Sequence, residues 1–401
     1  MINIINMKNA PHNSPYSMEA KEVCTQLQIS PDTLYAYVSR GIIRKIAHPQ
    51  DGRRSLYHRH DFEKLLCKKK TGRSRSAVAA STISWGEPVL KSSITEIADE
   101  QVFYRGQNAV DLAKSFKFEQ IFELLLGEAF RAPPPEVNRY VLQQINQDWP
   151  PINRLMAMLT HEAATLGSAG RVQTARRLLR QSAMVIAGTV EDYMDYDIAE
   201  LLAKHWHIAK HGDDILNQAL ILCADHELNA SAYAARVAAS AKANLPASLL
   251  AGVTTLTGDA HGGMTTLARE WKETAQMSQM NGEEPPILAS GQTPPGFGHP
   301  FYPNGDPRAL ALIDVCGSPS DWISLKTSVF EKTGKTPSLD FGLALVEEHL
   351  GLPVGSGLGL FALGRMAGWM AHIFEQRKKG KLIRPRAIYA GKRHKVTAAN
   401  A

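Results

Sequence analysis

An all-α fold behind a small basic N-terminal module is what this sequence predicts, on three observations. Beyond about residue 84 the chain is filled by segments of helical periodicity, among them VDLAKSFKFEQIFELLLGEAF, IAELLAKHWHIAKHGDDILNQALILCADHE and FALGRMAGWMAHIFEQRKK, and period-two alternation is nearly absent after about residue 100. Clusters rich in proline and glycine (APPPE, EEPPILASGQTPPGFGHP, GLPVGSGLG) separate these segments, as helix breakers do. Charge is unevenly spread: residues 1–75 hold 14 Lys and Arg against 6 Asp and Glu, while the whole chain carries only +6. Such asymmetry points to an N-terminal module that faces a polyanion.

A length of 401 residues exceeds one ordinary core, so two or three domain-sized units are expected. With 44% hydrophobic and 21% charged residues the composition is that of a soluble globular protein. No apolar run reaches the ~18 residues of a membrane span. The start, MINIINMKNAPHNSPYS, has no charged stretch followed by an apolar one, so it is not a secretory signal and is expected to be a disordered leader, residues 1–17. Cys24, Cys67, Cys223 and Cys316 stand singly without zinc spacing, which predicts reduced thiols in the cytoplasm and no metal site.

Residues 18–67 are expected to form a winged helix-turn-helix. MEAKEVCTQLQ, residues 18–28, fits a short amphipathic helix with Val23 and Leu27 on its apolar side. Ser30-Pro31-Asp32 then combines an N-cap, a proline at the first helical position and an acid in the first turn. The helix it starts, PDTLYAYVSR, is stopped by Gly41. Asp51-Gly52 marks a hairpin turn between two short β-prone runs, and HDFEKLL reads as a closing helix. Tyr35, Tyr37, Ser39 and Arg40 fall on or near the second helix, and Arg44, Lys45, Arg53, Arg54 and Arg59 crowd the wing. These are the side-chain types that meet base edges and phosphates. The stretch ISPDTLYAYVSRGIIRK…GRRSLYHRHDFEKLL resembles the N-terminal DNA-binding half of MerR-type and excisionase-type regulators, and this resemblance implies that duplex DNA is a partner. A basic, aperiodic linker is expected over 68–83.

In the larger part, residues 84–401, three histidines stand out: His226 in DHELNAS, His261 in GDAHGG and His299 in PGFGHPFYPNGDPRA. An acid follows in PSLDFG, Asp340. Arg308 lies in GDPRA, Arg365 lies within the apolar LFALGRMAGWMAH, and Arg384 lies in KLIRPRAIY. An arginine on an apolar helical face is costly unless it meets an anion, and its fork matches a carboxylate. GSGLG at 355–359 follows a proline-containing loop rather than a strand and has no acid about twenty residues on, so it is not a dinucleotide motif.

Taken in order, DHELNAS, AHGG, GFGHPFYPNGDPR, LDFG and LIRPRAIY resemble the citrate synthase family, and the resemblance extends over about 84–391. It implies a homodimer of large and small helical domains, the small one at about 227–340, and an acyltransferase that joins acetyl-CoA to oxaloacetate with no cofactor. It further implies Asp340 as base, His261 on the thioester oxygen and His299 on the oxaloacetate carbonyl. His226, Arg308 and Arg365 would hold oxaloacetate, joined by Arg384 from the neighbouring subunit. Met264 and Thr265 depart from that family's usual small residue and asparagine. Condensation of propionyl-CoA to 2-methylcitrate, or a metabolite-sensing DNA-binding regulator on the same fold, are the alternatives.

Overall fold

The computed structural model describes residues 17–47, 51, 54–59, 61–62, 65–66, 90–130, 136–165, 171–191, 196–387 and 391. Residues 1–16 of the expected leader, the linker 68–83 and Arg53 lie outside the described residues, as does part of the expected closing helix HDFEKLL. The described residues are 61% helix and 6% strand, and the chain divides into two compact units, Met1–Lys91 and Ser92–Ala401.

The first unit contains β1 (Ser17–Glu19), α1 (Ala20–Leu27), α2 (Pro31–Ser39), β2 (Lys45–Ala47) and β3 (Ser55–His58). The three strands form an antiparallel sheet in the order β1-β3-β2. The predicted first helix begins two residues late, because Ser17–Glu19 is a strand: Met18 pairs with Tyr57 and enters the core. The second helix follows its signals. Ser30 Oγ accepts from Thr33 N at 3.3 Å, Pro31 holds the first helical position, and Gly41 follows the C-cap at φ +68°. Met18, Val23, Leu27, Leu34, Ile43, Tyr57 and Phe62 close a small core, so the module is a helix-turn-helix with a β2-β3 wing.

The second unit opens with an antiparallel sheet of β4 (Thr95–Ala98), β5 (Gln101–Tyr104) and β6 (Gln107–Asn108). Helices α3 (Ala109–Ser115), α4 (Phe118–Leu126), α5 (Arg139–Gln143), α6 (Pro151–Thr165), α7 (Arg171–Ala187), α8 (Ile198–His205) and α9 (Gly212–Cys223) follow. Next come α10 (Ala230–Ser240), α11 (Leu245–Leu256), α12 (Met264–Met280), α13 (Pro286–Ala289), α14 (Pro307–Val315), α15 (Ser320–Thr333), α16 (Leu339–His349) and α17 (Ser356–Lys379). Two runs that read as helical throughout are divided. Gln120 Oε1 accepts from the Lys117 backbone N–H at 2.8 Å and starts α4 afresh. His207 and His211, both at positive φ, turn the chain between α8 and α9.

The axis of this unit is α17, which is buried nearly all round and packs against α4, α6, α7, α9, α10, α11 and α16. A helix apolar on every side belongs at the centre of a core. Fully burying Trp369, Met366 or Leu363 stabilises the fold by about 1.5–3 kcal/mol each. Glycines let α17 approach the end of α9: a Cβ at Gly364 would stand 2.5 Å from Leu220 O, and one at Gly368 2.2 Å from Asp225 Oδ1. Gly368→Val would force these elements apart, and with them the Asp225-His226 segment. A second group is formed by α12, α14 and α16, with α16 packed on both others. Lys272 of α12 is buried in this group, paired with Glu348 and, at 3.2 Å, with Asp321.

Candidate active site

All of the expected site residues but Arg365 and Arg384 stand where a helix begins or ends or in the loops between helices. His226 follows the end of α9, and Asn229, whose side chain accepts from Ala232 N at 3.0 Å, starts α10 three residues later. His261 lies in the tight turn between α11 and α12. A Cβ at Gly263 would stand 2.6 Å from Thr257 O, so the turn folds back onto α11 only with glycine there. His299 lies in the loop before α14, Arg308 in the first turn of α14, Asp340 in the first turn of α16, and Arg365 midway along α17.

Six of the seven expected residues form one cluster, in which Arg308, His299, Arg365 and His261 all act electrostatically on His226 and Arg308 acts on Asp340. The rings of His226 and His299 meet edge to face at 5.3 Å. His226 Nε2 lies 2.6 Å from Tyr302 Oη, and the Arg308 guanidinium lies over the Tyr302 ring at 5.3 Å. Phe361 contacts both His261, at 6.1 Å, and Arg365, at 4.9 Å. His261 Nε2 lies 2.8 Å from Ser231 Oγ, which also accepts from Trp369 Nε1 at 3.2 Å. Asp340 joins through Thr265, four residues after His261, whose hydroxyl donates to Asp340 Oδ1 at 2.8 Å. Arg384 lies outside the cluster: it is exposed on the segment after α17, with no hydrogen bond or ion pair among the described residues.

The electrostatics are those of a desolvated, cation-rich pocket. Burial, reinforced by Arg308, holds the His226 imidazole well below its ordinary range. Burial and Arg365 bring His261 down to about 4, and burial and Arg308 do the same to His299. All three are therefore neutral near pH 7. Burial pushes Asp340 up to about 6, against the opposing hydrogen bonds from Thr265 and Ser338. The two arginines are only partly satisfied. Arg308 donates through Nε and Nη2 to Asp306 at 3.0 and 2.8 Å. Arg365 donates through Nε to Cys223 O at 2.7 Å, the last carbonyl of α9. Arg308 Nη1 and both Nη groups of Arg365 make no hydrogen bond among the described residues. The cluster thus offers a carboxylate near neutrality, three neutral imidazoles and two guanidinium groups with spare donors, which suits a small dianion beside a carbon acid.

Tyr302, Ser231, Asp306 and Ser338 were not singled out from sequence, and Thr265 was noted only as a departure from the family's usual asparagine. Asp306 had a readable signal, since an acid directly before Pro307 is an N-cap pattern. It accepts from Arg308 N at 3.0 Å and from Leu339 N at 3.1 Å, tying the start of α14 to the start of α16. The other four carry hydroxyls, whose partners are set by tertiary contact.

Residues 83–386 match the family described as citrate synthase, C-terminal domain. The chain belongs to the citrate synthase family. It is an enzyme of the citrate synthase type, an acyltransferase. It is 30% identical over 351 residues to citrate synthase 2 of Bacillus subtilis, a match covering 75% of this chain and 93% of that protein. To citrate synthase of Haloferax volcanii it is 27% identical, covering 73% and 90% of the two chains. Among solved structures it superposes on citrate synthase from Thermotoga maritima with a TM-score of 0.65 at 22% identity, covering 77% of this chain and 94% of that one. The TM-score is 0.64 at 22% identity, covering 77% and 95%, for the Thermoplasma acidophilum citrate synthase solved with carboxymethyl coenzyme A and oxaloacetate. These likenesses establish the fold. Among the described residues, no helix is long and apolar enough to cross a membrane.

The N-terminal module matches a helix-turn-helix domain over residues 18–70. On α2, Tyr35 is 64% exposed, Ser39 is exposed with its hydroxyl on Ala36 O at 3.0 Å, and Arg40 is exposed at the C-cap. Tyr37 instead packs against the small core. Two of the expected wing cations are held internally: Arg44 Nε pairs with Asp61 at 2.9 Å, and Arg54 with Glu19 at 2.7 Å.

Proposed function

We propose that this enzyme condenses acetyl-CoA with oxaloacetate and hydrolyses the thioester to release citrate and CoA, with Asp340, His261 and His299 as its catalytic residues. The observation that carries this reading is the convergence of Asp340 with three neutral histidines and two partly unsatisfied arginines. Asp340 takes a methyl proton from acetyl-CoA. His261 faces the thioester oxygen and stabilises it as it becomes an enolate; its Nε2 lies 2.8 Å from Ser231 Oγ, whose own proton goes to Asn229 Oδ1, 2.7 Å away. The enolate carbon then attacks the oxaloacetate ketone. Phe301 N–H donates to His299 Nδ1 at 3.2 Å, so the His299 proton sits on Nε2 and serves the developing alkoxide. Arg308, Arg365 and His226 hold the oxaloacetate carboxylates and carbonyl, and water cleaves the resulting thioester.

The active unit is a homodimer in which Arg384 serves the neighbouring subunit's site, consistent with its exposure and its separation from the cluster. We place the small subdomain at α12–α16 rather than from residue 227, because α10 packs with α17, and α11 with α6 and α17. The reaction belongs to the tricarboxylic acid cycle in the cytoplasm. The decisive experiment is thiol release from a panel of acyl-CoAs with oxaloacetate. Acetyl-CoA is expected to lead, and preference for propionyl-CoA would instead make this a 2-methylcitrate synthase.

The helix-turn-helix module supports a second activity, binding of duplex DNA through the exposed Tyr35, Ser39 and Arg40 of α2 together with the wing. A regulator that uses the oxaloacetate pocket only as a sensor is the competing reading. It requires DNA binding with no thiol release.

A further inference from the structure

We propose that Thr265 is a positioning residue for Asp340, fixing the carboxylate through a hydrogen bond from α12 so that one oxygen is held and the other is left for the substrate proton. This inference rests on Asp340 being the base. Three observations on the molecule support it.

The bond runs between two helices. Elsewhere in these helices threonine hydroxyls donate to the carbonyl four residues back, as at Thr160, Thr255, Thr274 and Thr327. Thr265 sits on α12 and is 2% exposed, yet its hydroxyl reaches across to Asp340 Oδ1 of α16 at 2.8 Å. Its rotamer is also held from the other side. A Cβ at Gly357, in the first turn of α17, would stand 3.1 Å from Thr265 Cγ2, so the methyl lies close against that glycine while the hydroxyl faces the acid. Finally, the two carboxylate oxygens are treated unequally. Oδ1 has the 2.8 Å bond from Thr265, whereas Oδ2 has only a 3.2 Å contact with Ser338 Oγ, two residues away on the same segment. The stronger bond comes from a rigid neighbouring helix, as a supporting contact should. The freer oxygen, Oδ2, is the one left to take the proton.

A donor to the ionised carboxylate also favours the form a base needs, and it opposes the burial that pushes Asp340 upward. Removing it raises the pKa of the base, so the acid limb of the pH profile moves to higher pH. Hydrogen bonds to charged groups are strong enough to move it about one to two pH units.

The test uses the full-length enzyme with acetyl-CoA and oxaloacetate, and compares wild type, Thr265→Val, Thr265→Ser and Asp340→Ala across pH 5–9. Thr265→Val is expected to shift the acid limb of kcat upward by one to two units and to lower kcat about two- to tenfold at pH 7, with KM for oxaloacetate nearly unchanged. Thr265→Ser, which keeps the donor, is expected to restore both the limb and the rate. Circular dichroism melts on both variants check the fold. A Thr265→Val limb that coincides with wild type overturns the inference while leaving Asp340 as base. Failure of Thr265→Ser to restore the limb overturns it too, by making the loss one of packing. If Asp340→Ala is as active as wild type, the reading of the base itself fails, and the inference falls with it.

Discussion

Replacing Arg365 with methionine separates binding from folding, because this side chain is costly to the empty enzyme and useful only to the filled one. Arg365 is 1% exposed, and its one side-chain hydrogen bond among the described residues is from Nε to Cys223 O at the C-terminal end of α9. Burial lowers its pKa, partly offset by Asp225. In the apo enzyme methionine removes a desolvated charge, a relief of about 1–4 kcal/mol. It also orphans a helix-terminal carbonyl, a cost of about 1–3 kcal/mol, and loses a favourable charge–dipole contact. These terms nearly cancel, so the apo melting temperature should move by only a few degrees in either direction. Oxaloacetate binding has no such compensation. Truncating one member of a buried charge pair costs about 2–5 kcal/mol, or roughly 30- to 5000-fold in Kd. At a concentration 100 times the wild-type Kd, oxaloacetate stabilises the wild-type enzyme by about 2.7 kcal/mol. The same concentration should stabilise Arg365→Met by less than about 1 kcal/mol. Thermal denaturation with and without oxaloacetate, backed by titration calorimetry, measures both quantities. Unchanged oxaloacetate affinity would refute the assignment of Arg365 to the anion. Arg365→Lys should recover part of the affinity, since it restores charge without the fork.

Other expectations follow from the same cluster and from the module. Asp340→Ala should lower kcat by about 10²–10⁴-fold in the thiol-release assay and leave oxaloacetate binding nearly intact. In wild type, kcat should fall as pH drops through about 6, where Asp340 becomes protonated, with no further limb from His261 or His299 until about 4. A folded pKa raised above the unfolded value means that stability is full below the unfolded pKa and is lost as pH rises through about 6. Asp340→Asn should therefore raise the melting temperature at pH 7.5, by at most about 3 kcal/mol of stability, and not at pH 3.5; equal effects at both would count against the shift. Mixed dimers of Arg384→Ala and Asp340→Ala chains should regain partial activity when co-refolded. No gain would place Arg384 outside the neighbour's site.

The fold class was legible because helices announce themselves through a 3.6-residue period and through caps at either end. Ser30-Pro31 and Gly41 marked the ends of α2 in the sequence, and α2 ends there in the structure. What the period concealed was interruption. The break between α8 and α9 depends on two histidines at positive φ, a conformation not signalled by their residue type. The strand Ser17–Glu19 was also hidden, because three residues carry no periodicity and its partner, Ser55–His58, lies far along the chain. In the cluster, the charged and imidazole side chains could be found from their glycine-rich or apolar settings. Their hydroxyl supports could not: that Thr265 bonds Asp340, 75 residues away, depends on how α12 meets α16.

Binding of DNA is where the module's structure most sharpens the sequence expectation. Fourteen Lys and Arg in residues 1–75 suggest many phosphate contacts. Within the described residues, however, Arg44 and Arg54 are engaged with Asp61 and Glu19. The two arginines are 59% and 51% exposed at their side chains; the Arg54–Glu19 pair, open on both sides, is worth no more than about 1 kcal/mol, whereas Asp61 is 14% exposed and takes both Nε and Nη2 of Arg44, which makes that pair the firmer one. A phosphate can exchange for such a carboxylate, but the exchange lowers the gain per contact. The salt dependence of binding should then be shallower than the cation count suggests. Each phosphate contact contributes about −0.9 to the slope of log K against log salt. Asp61→Asn releases Arg44 and should steepen the slope by up to about one unit, while Arg40→Ala, at the exposed end of α2, should flatten it. Fluorescence anisotropy with duplex DNA over a range of salt concentrations reads both. The deletion of residues 1–82 should bind no DNA and still release thiol from acetyl-CoA. If full-length protein binds duplex no better than that deletion, the module serves assembly. If Asp61→Asn leaves the slope untouched while binding persists, Arg44 is not a phosphate contact, and the recognition surface is confined to α2.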